Sequence, residues 1–381
     1  MRIGIFGGSF DPVHREHKNF VRAALKSLQL DKLIVMPAHT PPHKQGRSLS
    51  SNADRLAMCQ LAFADLEKVE VSDFELSQGG TSYTYLTCAH VRQSYPNADI
   101  FFLVGTDMLR NFPFWKYPEK ILEMVELAVS GREDEEGWWQ REQEVFTQRF
   151  GKPFVKIDYN GDAVSSTQIR VLEGAGMRLD TFVEEKVADY IEEKGLYSIP
   201  FAKEALALEK PSRALHSVRV AHLAARRAYA LHIPEQDAIA AGLLHDCAKN
   251  LPPDHPYLEG FTPPDEWGEV PASVWHQFAG AYVAERIFGV QNADILNAIR
   301  YHTSGRENMS GLEKLIFLAD MLEEERHYEG VEILRELFWR GQDLDECLEE
   351  ALYQTIEFLK SKNADICPLT QNAYHFIKKE V

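Results

Sequence analysis

Short apolar runs alternate with amphipathic stretches through the first half of the chain. Six runs rich in Ile, Val, Leu and Phe predict strands, at residues 2–6, 32–36, 69–76, 99–105, 126–131 and 154–159. Between them, residues 18–29 and 54–65 repeat apolar positions at the three- and four-residue spacing of a helix. This alternation predicts an α/β fold, a doubly wound parallel sheet with helices on both faces.

The second half of the chain has almost no strand signal. Apolar positions there follow the helical period, at residues 212–231, 235–248, 273–288, 294–301, 311–323 and 343–362. Pro200 and Pro211 flank a short connector. The sequence therefore predicts two domains, an α/β domain at residues 1–198 and an all-helical domain at residues 209–381, joined by a linker at residues 199–208.

Charge and cysteine content narrow the class of protein. The 381 residues carry a formal net charge of −17, which argues against nucleic acid as a partner but leaves local sites for small phosphorylated ligands. The five cysteines are scattered and form no CxxC pair, so neither a disulfide framework nor a cysteine zinc site is expected. The N-terminus predicts no signal peptide and no membrane span. We expect a cytoplasmic enzyme, and a homo-oligomer is left open.

A glycine turn follows the first predicted strand and precedes a helix. Backbone N–H groups of Gly7, Gly8 and Ser9 can approach a phosphate there, and the helix adds its positive N-terminal end. His14 and His17 are three residues apart, so they share one helix face and can donate hydrogen bonds to charge that develops during nucleotidyl transfer. The alternative is a tight turn with two surface histidines.

A second hydroxyl-rich helix start lies at residues 164–170. Ser165, Ser166 and Thr167 can cap this helix, and they can also hydrogen-bond phosphate oxygens. Arg170 adds a positive charge one turn further along. Because loops at the carboxyl ends of parallel strands converge in a doubly wound sheet, we expect both elements to contact one ligand.

The segments GSFDPVHREH and SSTQIR resemble the two signatures of the nucleotidylyltransferase superfamily. MPAHTPPHK, GGTSYTYLT, FLVGTDML and VADYIEEKGLY narrow the resemblance to bacterial nicotinate-nucleotide adenylyltransferases, over residues 1–198. The resemblance implies a nucleotidylyltransferase-like Rossmann fold that transfers AMP from ATP to nicotinate mononucleotide and releases pyrophosphate. Mg²⁺ accompanies ATP and is held mainly by phosphate oxygens and water.

The same resemblance implies roles for individual residues. The implied contacts are, with ATP, Gly8, Ser9 and Phe10; with its phosphates, the catalytic His14 and His17; with the triphosphate, Ser166, Thr167 and Arg170; with adenosine, Gly105 and Asp107; and with nicotinate mononucleotide, Lys44, Ser82, Tyr83, Thr84 and Trp115. Two positions depart from the family pattern. Glu16 replaces a glycine, and its carboxylate would either weaken triphosphate binding or point to solvent. Leu86 replaces an aspartate, which leaves open whether the acceptor is the nicotinate or the nicotinamide mononucleotide.

The second half is rich in histidine and aspartate on predicted helices. Six of these residues have metal-ligating side chains and form our candidate set: His216, His245, Asp246, His276, His302 and Asp320. Imidazoles with carboxylates suit iron, manganese or zinc, and two such ions can activate a bridging water against a phosphate. The alternative is a scatter of ordinary helix histidines. Against it, an ionised Asp320 in the apolar stretch LIFLADML is costly to bury without a metal or partner.

The order H…HD…H…H…D resembles the HD phosphohydrolase superfamily. AGLLHDCAK and HTSGRENMSGLEKLIFLADMLEEER resemble the bacterial HD family of symmetrical diadenosine tetraphosphate hydrolases, over residues 209–381. The resemblance implies that one or two iron ions are bound and that diadenosine tetraphosphate is cleaved into two ADP. Alternatives left open are a nucleotide-sensing module and a phosphodiesterase of other specificity.

Residue roles in the second half also follow from this resemblance. The implied roles are, for the primary metal, His216, His245, Asp246 and Asp320; for a second metal or a phosphate, His276 and His302; for catalysis, Asp246 and Lys249; for phosphate contacts, Lys249, Thr303 and Arg326; and for nucleotide contacts, Thr370 and Asn372.

Overall fold

The computed structural model describes residues 1–41, 49–131, 137–263 and 271–380 and divides into two units. The first unit comprises Met1–Ile169 and Leu179–Leu196, and the second comprises Arg170–Arg178 and Tyr197–Val381. None of the helices in the described ranges combines the length and the apolar character that a membrane crossing requires.

A six-stranded parallel sheet forms the centre of the first unit. The strands are β1 (Arg2–Gly8), β2 (Lys32–Pro37), β3 (Val69–Val71), β4 (Asp99–Gly105), β5 (Glu126–Ser130) and β6 (Val155–Lys156). Their order across the sheet is β3-β2-β1-β4-β5-β6, and the described pairings are parallel. The order reverses between β1 and β4, which confirms the predicted doubly wound sheet and places its switch point beside Gly8 and Gly105.

Helices connect the strands of this unit. They are α1 (Arg15–Ser27), α2 (Asn52–Phe63), α3 (Phe74–Gln78), α4 (Thr84–Ser94), α5 (Thr106–Asn111), α6 (Pro118–Met124), α7 (Trp138–Phe150), α8 (Ser166–Gly174) and α9 (Glu185–Lys194). A 3-10 turn at Phe112–Phe114 follows α5. Buried strand residues such as Ile5, Phe102 and Val129 form the core between sheet and helices.

Two predicted strands are shorter than expected. β3 ends at Val71, and Phe74–Gln78 form α3 after Asp73, where the predicted strand continued to residue 76. β6 has only two residues. Both strands lie at an edge of the sheet, where a single neighbour supplies hydrogen bonds, so pairing ends early.

The second unit is helical throughout its described residues, as predicted. Its helices are α10 (Ala202–Ala207), α11 (Pro211–Ala228), α12 (Glu235–Leu244), α13 (Trp275–Arg286), α14 (Ala293–Tyr301), α15 (Gly311–Leu322), α16 (Val331–Arg340), α17 (Asp345–Ser361) and α18 (Pro368–Glu380). 3-10 turns occur at Tyr229–Leu231 and Pro256–Leu258. The sequence patterns did not predict α10, α16 and α18.

The segment predicted as a linker contains a packed helix. In α10, Ala202 and Leu206 are buried against Val171 and Ile239, all within the second unit. The first unit ends at Leu196, and the second half of α8 groups with the second unit. Residues 199–208 therefore differ from an exposed linker because their alanines and leucines belong to a core.

Helix α12 ends at Leu244, four residues before its predicted end. Beyond it, the backbone N–H groups of Cys247 and Lys249 bond three residues back, to Leu244 and Asp246, which marks tight turns instead of α-helix. Gly242 lies one turn before this end, and a Cβ there would approach Ala221 Cα to 2.5 Å. The missing side chain lets α11 and α12 pack closely, which brings their ligand-bearing residues together.

Candidate functional site

The glycine turn of the first unit lies at the switch point of the sheet. It follows β1, and a Cβ on Gly8 would come within 2.9 Å of the Phe10 ring. Phe10 itself has a φ of 48°, in the left-handed region. The Phe10 ring packs so closely on the backbone that only glycine fits at position 8. A loop whose backbone approaches phosphates commonly needs glycine for this reason. Gly105 ends the neighbouring strand β4, and Asp107 is exposed in the first turn of α5.

His14 and His17 lie together at the start of α1. His14 is the N-cap residue, and the two rings stack with centroids 3.6 Å apart and an interplanar angle of 25°. His17 Nδ1 accepts a hydrogen bond from the backbone N–H of His14 at 3.1 Å. Because Nδ1 is an acceptor, neutral His17 carries its proton on Nε2, where it is a hydrogen-bond donor.

His14 is held in the neutral form. Burial lowers its pKa to about 4, although the charge of Glu16 opposes the shift. Its Nδ1 is buried and has no hydrogen-bond partner among the described residues. The pair is therefore suited to hydrogen bonding and not to supplying two fixed positive charges.

The second phosphate motif is joined to the first. Ser166 Oγ donates to the carbonyl oxygen of Pro12 at 2.9 Å, two residues before His14. Ser165 Oγ accepts from the N–H of Gln168 at 3.1 Å, so it caps α8, and Thr167 lies in the first turn. The structure thus brings the two motifs to one place through Ser166, while Ser165 has the capping role.

Arg170 lies on α8, one turn after Ser166. It groups with the second unit, is buried, and its Nε donates to Glu235 Oε1 at 2.5 Å. This ion pair within the second unit accounts for part of its guanidinium. A contact between Arg170 and the triphosphate stays a prediction.

Glu16 does not point at the histidines. Its carboxylate accepts hydrogen bonds from the Tyr159 hydroxyl at 2.6 Å, the Asp162 N–H at 2.8 Å and the Asn19 amide at 3.0 Å. Burial alone would raise the pKa of Glu16, but these three hydrogen bonds outweigh it, so the pKa lies below its ordinary value. The departure from glycine therefore fastens α1 to the loop that leads into α8.

The predicted acceptor segment surrounds the start of α4. Ser82 Oγ accepts from the N–H of His39 at 2.9 Å, the Tyr83 ring lies 4.1 Å from Lys116 Nζ, and Thr84 begins the helix. Trp115 packs edge-on against Phe102 at 6.0 Å. Leu86, the second departure, is exposed on α4. Lys44 lies outside the described residues.

Arg55 is a site-organising residue that sequence reasoning missed. It is fully buried, and its guanidinium donates to the carbonyl oxygens of Ser9 at 2.9 Å and Ala38 at 2.6 Å. It thereby ties the glycine turn to the end of β2. A signal was present: Arg55 occupies the apolar face of α2, three and four residues before the buried Met58 and Cys59.

The six candidate ligands of the second unit converge on one point. His216 lies on α11, His276 at the start of α13 and Asp320 on α15, while the others lie in the turns after α12 and α14. Their donor atoms form three overlapping groups within 4.8 Å: His216–His245–Asp246, His245–His302–Asp320 and Asp246–His276–His302. The tight turn after α12 directs the adjacent His245 and Asp246 to the same centre.

Three of these histidines are oriented in the same way. Nδ1 of His245 donates to Gly242 O at 2.7 Å, and Nδ1 of His302 donates to Ile299 O at 2.8 Å. Nδ1 of His216 lies 3.0 Å from the carboxylate of Glu323. In neutral His245 and His302 this leaves Nε2 with a lone pair toward the cluster, as expected for metal-ligating histidines with an outer oxygen partner. His216 has the same outer partner at Nδ1, and its Nε2 lies 2.8 Å from Asp320 Oδ1.

The protonation states also suit a divalent cation. Burial lowers the pKa of His245 and of His276 to about 4. Burial alone would also lower the pKa of His216, but its hydrogen bonds with Asp320 and Glu323 outweigh burial and raise that pKa, so a bound metal would have to displace a proton there. Burial raises the pKa of Asp246 and Asp320, but the surrounding histidines outweigh it and hold both below the usual range. Neutral imidazoles and ionised carboxylates are the forms that bind metal.

Unsatisfied atoms point the same way. His245 Nε2 and both carboxylate oxygens of Asp246 are buried without a hydrogen-bond partner among the described residues. Such groups are costly unless a further partner is supplied. A divalent metal fits this donor set, which contains four imidazoles and two carboxylates.

The predicted phosphate-binding residues border the cluster. Lys249 Nζ and Thr303 Oγ1 lie 2.7 Å and 3.2 Å from His276 Nε2, and Arg326 Nη2 lies 2.7 Å from Asp320 Oδ1. Thr370 is buried on α18 and Asn372 is exposed there. Neither makes a described contact with the six ligands, so their nucleotide contacts stay predictions.

Two supporting residues were missed from the sequence. Glu323 is buried one turn after Asp320 and faces His216. Gln277 is fully buried beside His276, and its Oε1 accepts from the N–H groups of Thr303 at 2.8 Å and Ser304 at 3.0 Å. The only signal was a polar residue at a buried helix position next to a ligand.

Comparison with known proteins finds the same two domains. A family profile described as cytidylyltransferase-like matches residues 5–172, and one described as HD domain matches residues 213–325. Among solved structures, a Clostridium acetobutylicum protein described as a "predicted HD superfamily hydrolase involved in NAD metabolism" is 32% identical, with a TM-score of 0.42, and covers 48% of this chain and 96% of its own.

Curated relatives match one or both halves. A Clostridium tetani "Probable nicotinate-nucleotide adenylyltransferase" is 35% identical over 51% of this chain and 97% of its own length. A Mycoplasma genitalium "Probable nicotinate-nucleotide adenylyltransferase/Ap4A hydrolase" is 30% identical over 87% of this chain and 91% of its own length. With both halves matched at this identity and coverage, the chain belongs to the family of the nicotinate-nucleotide adenylyltransferase/Ap4A hydrolase proteins and carries a cytidylyltransferase-like domain followed by an HD domain.

Proposed function

We propose that the first unit transfers the adenylyl group of ATP to nicotinate mononucleotide. A phosphate oxygen of the mononucleotide forms a bond to the α-phosphorus of ATP, and the bond from that phosphorus to pyrophosphate breaks. The observation that carries the proposal is the union of both phosphate motifs, with Ser166 bonded to Pro12 beside the stacked His14 and His17. The names of the relatives support the acceptor.

The two histidines have different roles in this reaction. Nε2–H of His17 donates to a phosphate oxygen, where negative charge increases as the pyrophosphate leaves, and His14 packs against it. Backbone N–H groups of Gly8 and Ser9 approach the triphosphate, with Arg55 holding the Ser9 carbonyl. Mg²⁺ arrives with ATP and neutralises phosphate charge when bound.

The test is pyrophosphate release by the full chain. ATP with nicotinate mononucleotide is expected to give rapid release, and ATP with nicotinamide mononucleotide a slower one. Equal rates with both acceptors would contradict the acceptor assignment. No release with either acceptor would remove the transferase activity.

We infer further that the second unit is a metal-dependent phosphohydrolase, and we propose diadenosine tetraphosphate as its substrate. A water oxygen bonds to one of the two central phosphorus atoms and gives up a proton, and the bond from that phosphorus to the oxygen that bridges the two central atoms breaks. The products are two ADP. The supporting observation is the convergence of six donors, among which burial favours neutral His245 and His276 and the histidines favour ionised Asp246 and Asp320. The name of the Mycoplasma genitalium relative supports the substrate.

The chain's own residues hold the metal and the phosphates. His216, His245, Asp246 and Asp320 are the proposed ligands of one ion, and His276 and His302 complete a second site or bind phosphate. Bound divalent ions lower the pKa of water and polarise a phosphate. Lys249, Thr303 and Arg326 neutralise or hydrogen-bond the phosphate oxygens. Iron is the proposed ion, with manganese and zinc as the other candidates.

The test combines metal analysis with product analysis. The purified full chain is expected to contain a transition metal and, with Fe²⁺ or Mn²⁺, to yield ADP as the only nucleotide product from diadenosine tetraphosphate. Formation of ATP and AMP would contradict symmetrical cleavage. Binding without turnover with any metal would favour a nucleotide-sensing module, and turnover of other nucleotides alone would favour a different phosphodiesterase.

A further inference from the structure

Three cationic side chains border the metal-ligand cluster. Arg213 on α11, Lys249 after α12 and Arg326 after α15 approach its carboxylates, with exposed side-chain fractions of 30%, 32% and 36%. The carboxylates that they face are far more buried, at 1% for Asp246 and 17% for Asp320. Cations thus form the partly exposed rim of a buried anionic centre, which favours an anionic ligand at that rim.

Arg213 and Arg326 differ in how they are held. Arg326 is fixed, because its Nε donates to the Asp320 carbonyl at 2.9 Å and its Nη2 to the carboxylate at 2.7 Å. Arg213 Nη1 lies 3.0 Å from Asp246 Oδ2, but that oxygen makes no hydrogen bond within the described chain. The contact of Arg213 therefore lacks hydrogen-bond geometry, and its partly exposed guanidinium can direct N–H donors to a ligand.

We propose that Arg213 binds a phosphate group of the substrate on the Asp246 side of the cluster, as Arg326 does on the Asp320 side. The inference rests on the proposed phosphohydrolase function. A symmetrical cut requires that phosphates on both sides of the broken bridge be held, and one arginine beside each carboxylate meets this requirement. An arginine presents several donors in a planar fork that matches phosphate oxygens.

Arg213 and a divalent cation share the charge of Asp246. Removing the guanidinium therefore leaves the affinity for the metal unchanged or increases it, while the affinity for phosphate falls. A purely structural Arg213 predicts the opposite for the metal, since the ligand carboxylate would lose the group that positions it. The signs of the two effects separate the explanations without an activity measurement.

The experiment uses the full chain with Mn²⁺ and inorganic phosphate. Free Mn²⁺ is measured by electron paramagnetic resonance, and phosphate near bound Mn²⁺ by broadening of its ³¹P signal. The D246A variant gives the broadening that arises elsewhere in the chain. R213A and R213K are compared with R226A, because Arg226 lies on the same helix, is exposed and stacks on Trp339 away from the cluster.

For R213A we expect phosphate binding to weaken roughly tenfold to a hundredfold, with Mn²⁺ binding equal to or tighter than that of the unchanged protein. R213K keeps the charge and loses the fork, so an intermediate loss is expected. R226A should bind both ligands normally. Unchanged phosphate binding in R213A, or weaker Mn²⁺ binding in both variants, would overturn the role of Arg213.

The outcome also separates this inference from the proposed function. Loss of phosphate binding in R213A, in a protein that does not cleave diadenosine tetraphosphate, would support the anion site and reject that substrate. Normal phosphate binding in R213A, in a protein that cleaves the substrate, would support the hydrolase and reject Arg213.

Discussion

The histidines of the two units differ in which ring nitrogen is committed. In the first unit, Nδ1 of His17 accepts from a backbone N–H, so Nε2 carries the proton. In the second unit, Nδ1 of His245 and His302 donates to a backbone carbonyl, so Nε2 carries the lone pair. One backbone contact thus gives the same residue type an N–H donor at Nε2 in one place and a lone pair at Nε2 in the other, as the proposed phosphate and metal contacts require.

The difference also shows how the backbone assigns chemistry. An N-cap position exposes N–H groups, because the first turn of a helix has no acceptor for them. The ends of α12 and α14 expose carbonyl oxygens for the same reason. His17, in the first turn of α1, therefore has its proton at Nε2, whereas His245 and His302, just after the ends of α12 and α14, have the lone pair there.

The largest effect on activity is expected when His245, a proposed metal ligand, is replaced by glutamine, whose amide forms hydrogen bonds but is a poor ligand for a transition metal. H245Q should lose bound metal and reduce hydrolysis roughly a thousandfold or more, because the charge stabilisation supplied by the ion is lost. Metal analysis and ADP formation measure this. Transferase activity in the same sample is the control. Retained metal in H245Q would contradict the assignment of Nε2 as a ligand.

The matched replacement in the first unit should be milder. H17A is expected to reduce adenylyl transfer roughly a hundredfold to a thousandfold, whereas H17Q, which retains an N–H donor, should keep much more of the rate. Pyrophosphate release measures both, with hydrolysis as the control. If H17Q were as slow as H17A, hydrogen donation at Nε2 would not be the role of this ring.

A third variant tests the oxygen behind a ligand. E323Q removes the negative charge facing Nδ1 of His216 and should raise the dissociation constant of the metal roughly tenfold to a hundredfold. The matched control is E324Q, because the side chain of Glu324 is 74% exposed. Equal metal affinities in the two variants would show that Glu323 does not orient His216.

The smallest expected effect concerns pH and the neutral His14. Its folded-state pKa is about 4, against an ordinary value of 6.5, so below pH 6.5 the unfolded chain binds a proton that the folded chain refuses. This histidine therefore costs stability as pH falls from 6.5 toward 4, by about 1–2 kcal/mol at pH 5.

The H14N variant checks this sign. Asparagine does not titrate, so the free energy of unfolding of H14N should fall less than that of the unchanged protein between pH 7 and pH 5. Chemical denaturation at several pH values measures the difference. H375N, at an exposed position of α18, should follow the unchanged protein. Parallel curves for H14N and the unchanged protein would exclude a buried neutral His14.

Sequence patterns predicted the fold classes and the extents of four of the six strands closely, because burial on both faces of a parallel sheet leaves long apolar runs. β3 and α10 show the limits. The apolar run at residues 69–76 continues past the end of β3, and only pairing with a neighbour decides where a strand stops. The alanines of α10 are weakly apolar, and their burial depends on helices distant in sequence.

The site residues show a similar division. Residues in motifs at turns were recognised, since glycine, histidine and aspartate at a helix end have few other uses. Arg55, Gln277 and Glu323 were missed because each lies within or at the end of an ordinary helix, and its role depends on backbone groups that only the fold brings near. The orientation of Glu16 toward Tyr159 also required the fold.

Gly242 connects these observations. Its lack of a side chain sets the spacing of α11 and α12, and its carbonyl oxygen accepts a hydrogen bond from Nδ1–H of His245. A larger residue there would move His216 away from His245, although all six ligand residues would still be present in the sequence. The presence of all six ligand residues in a homologous HD domain is consequently not enough to show that the domain binds metal. A homologue with all six donors and a bulkier residue at this position would keep the complete sequence motif, but its first two histidines would lie too far apart to bind the same metal ion.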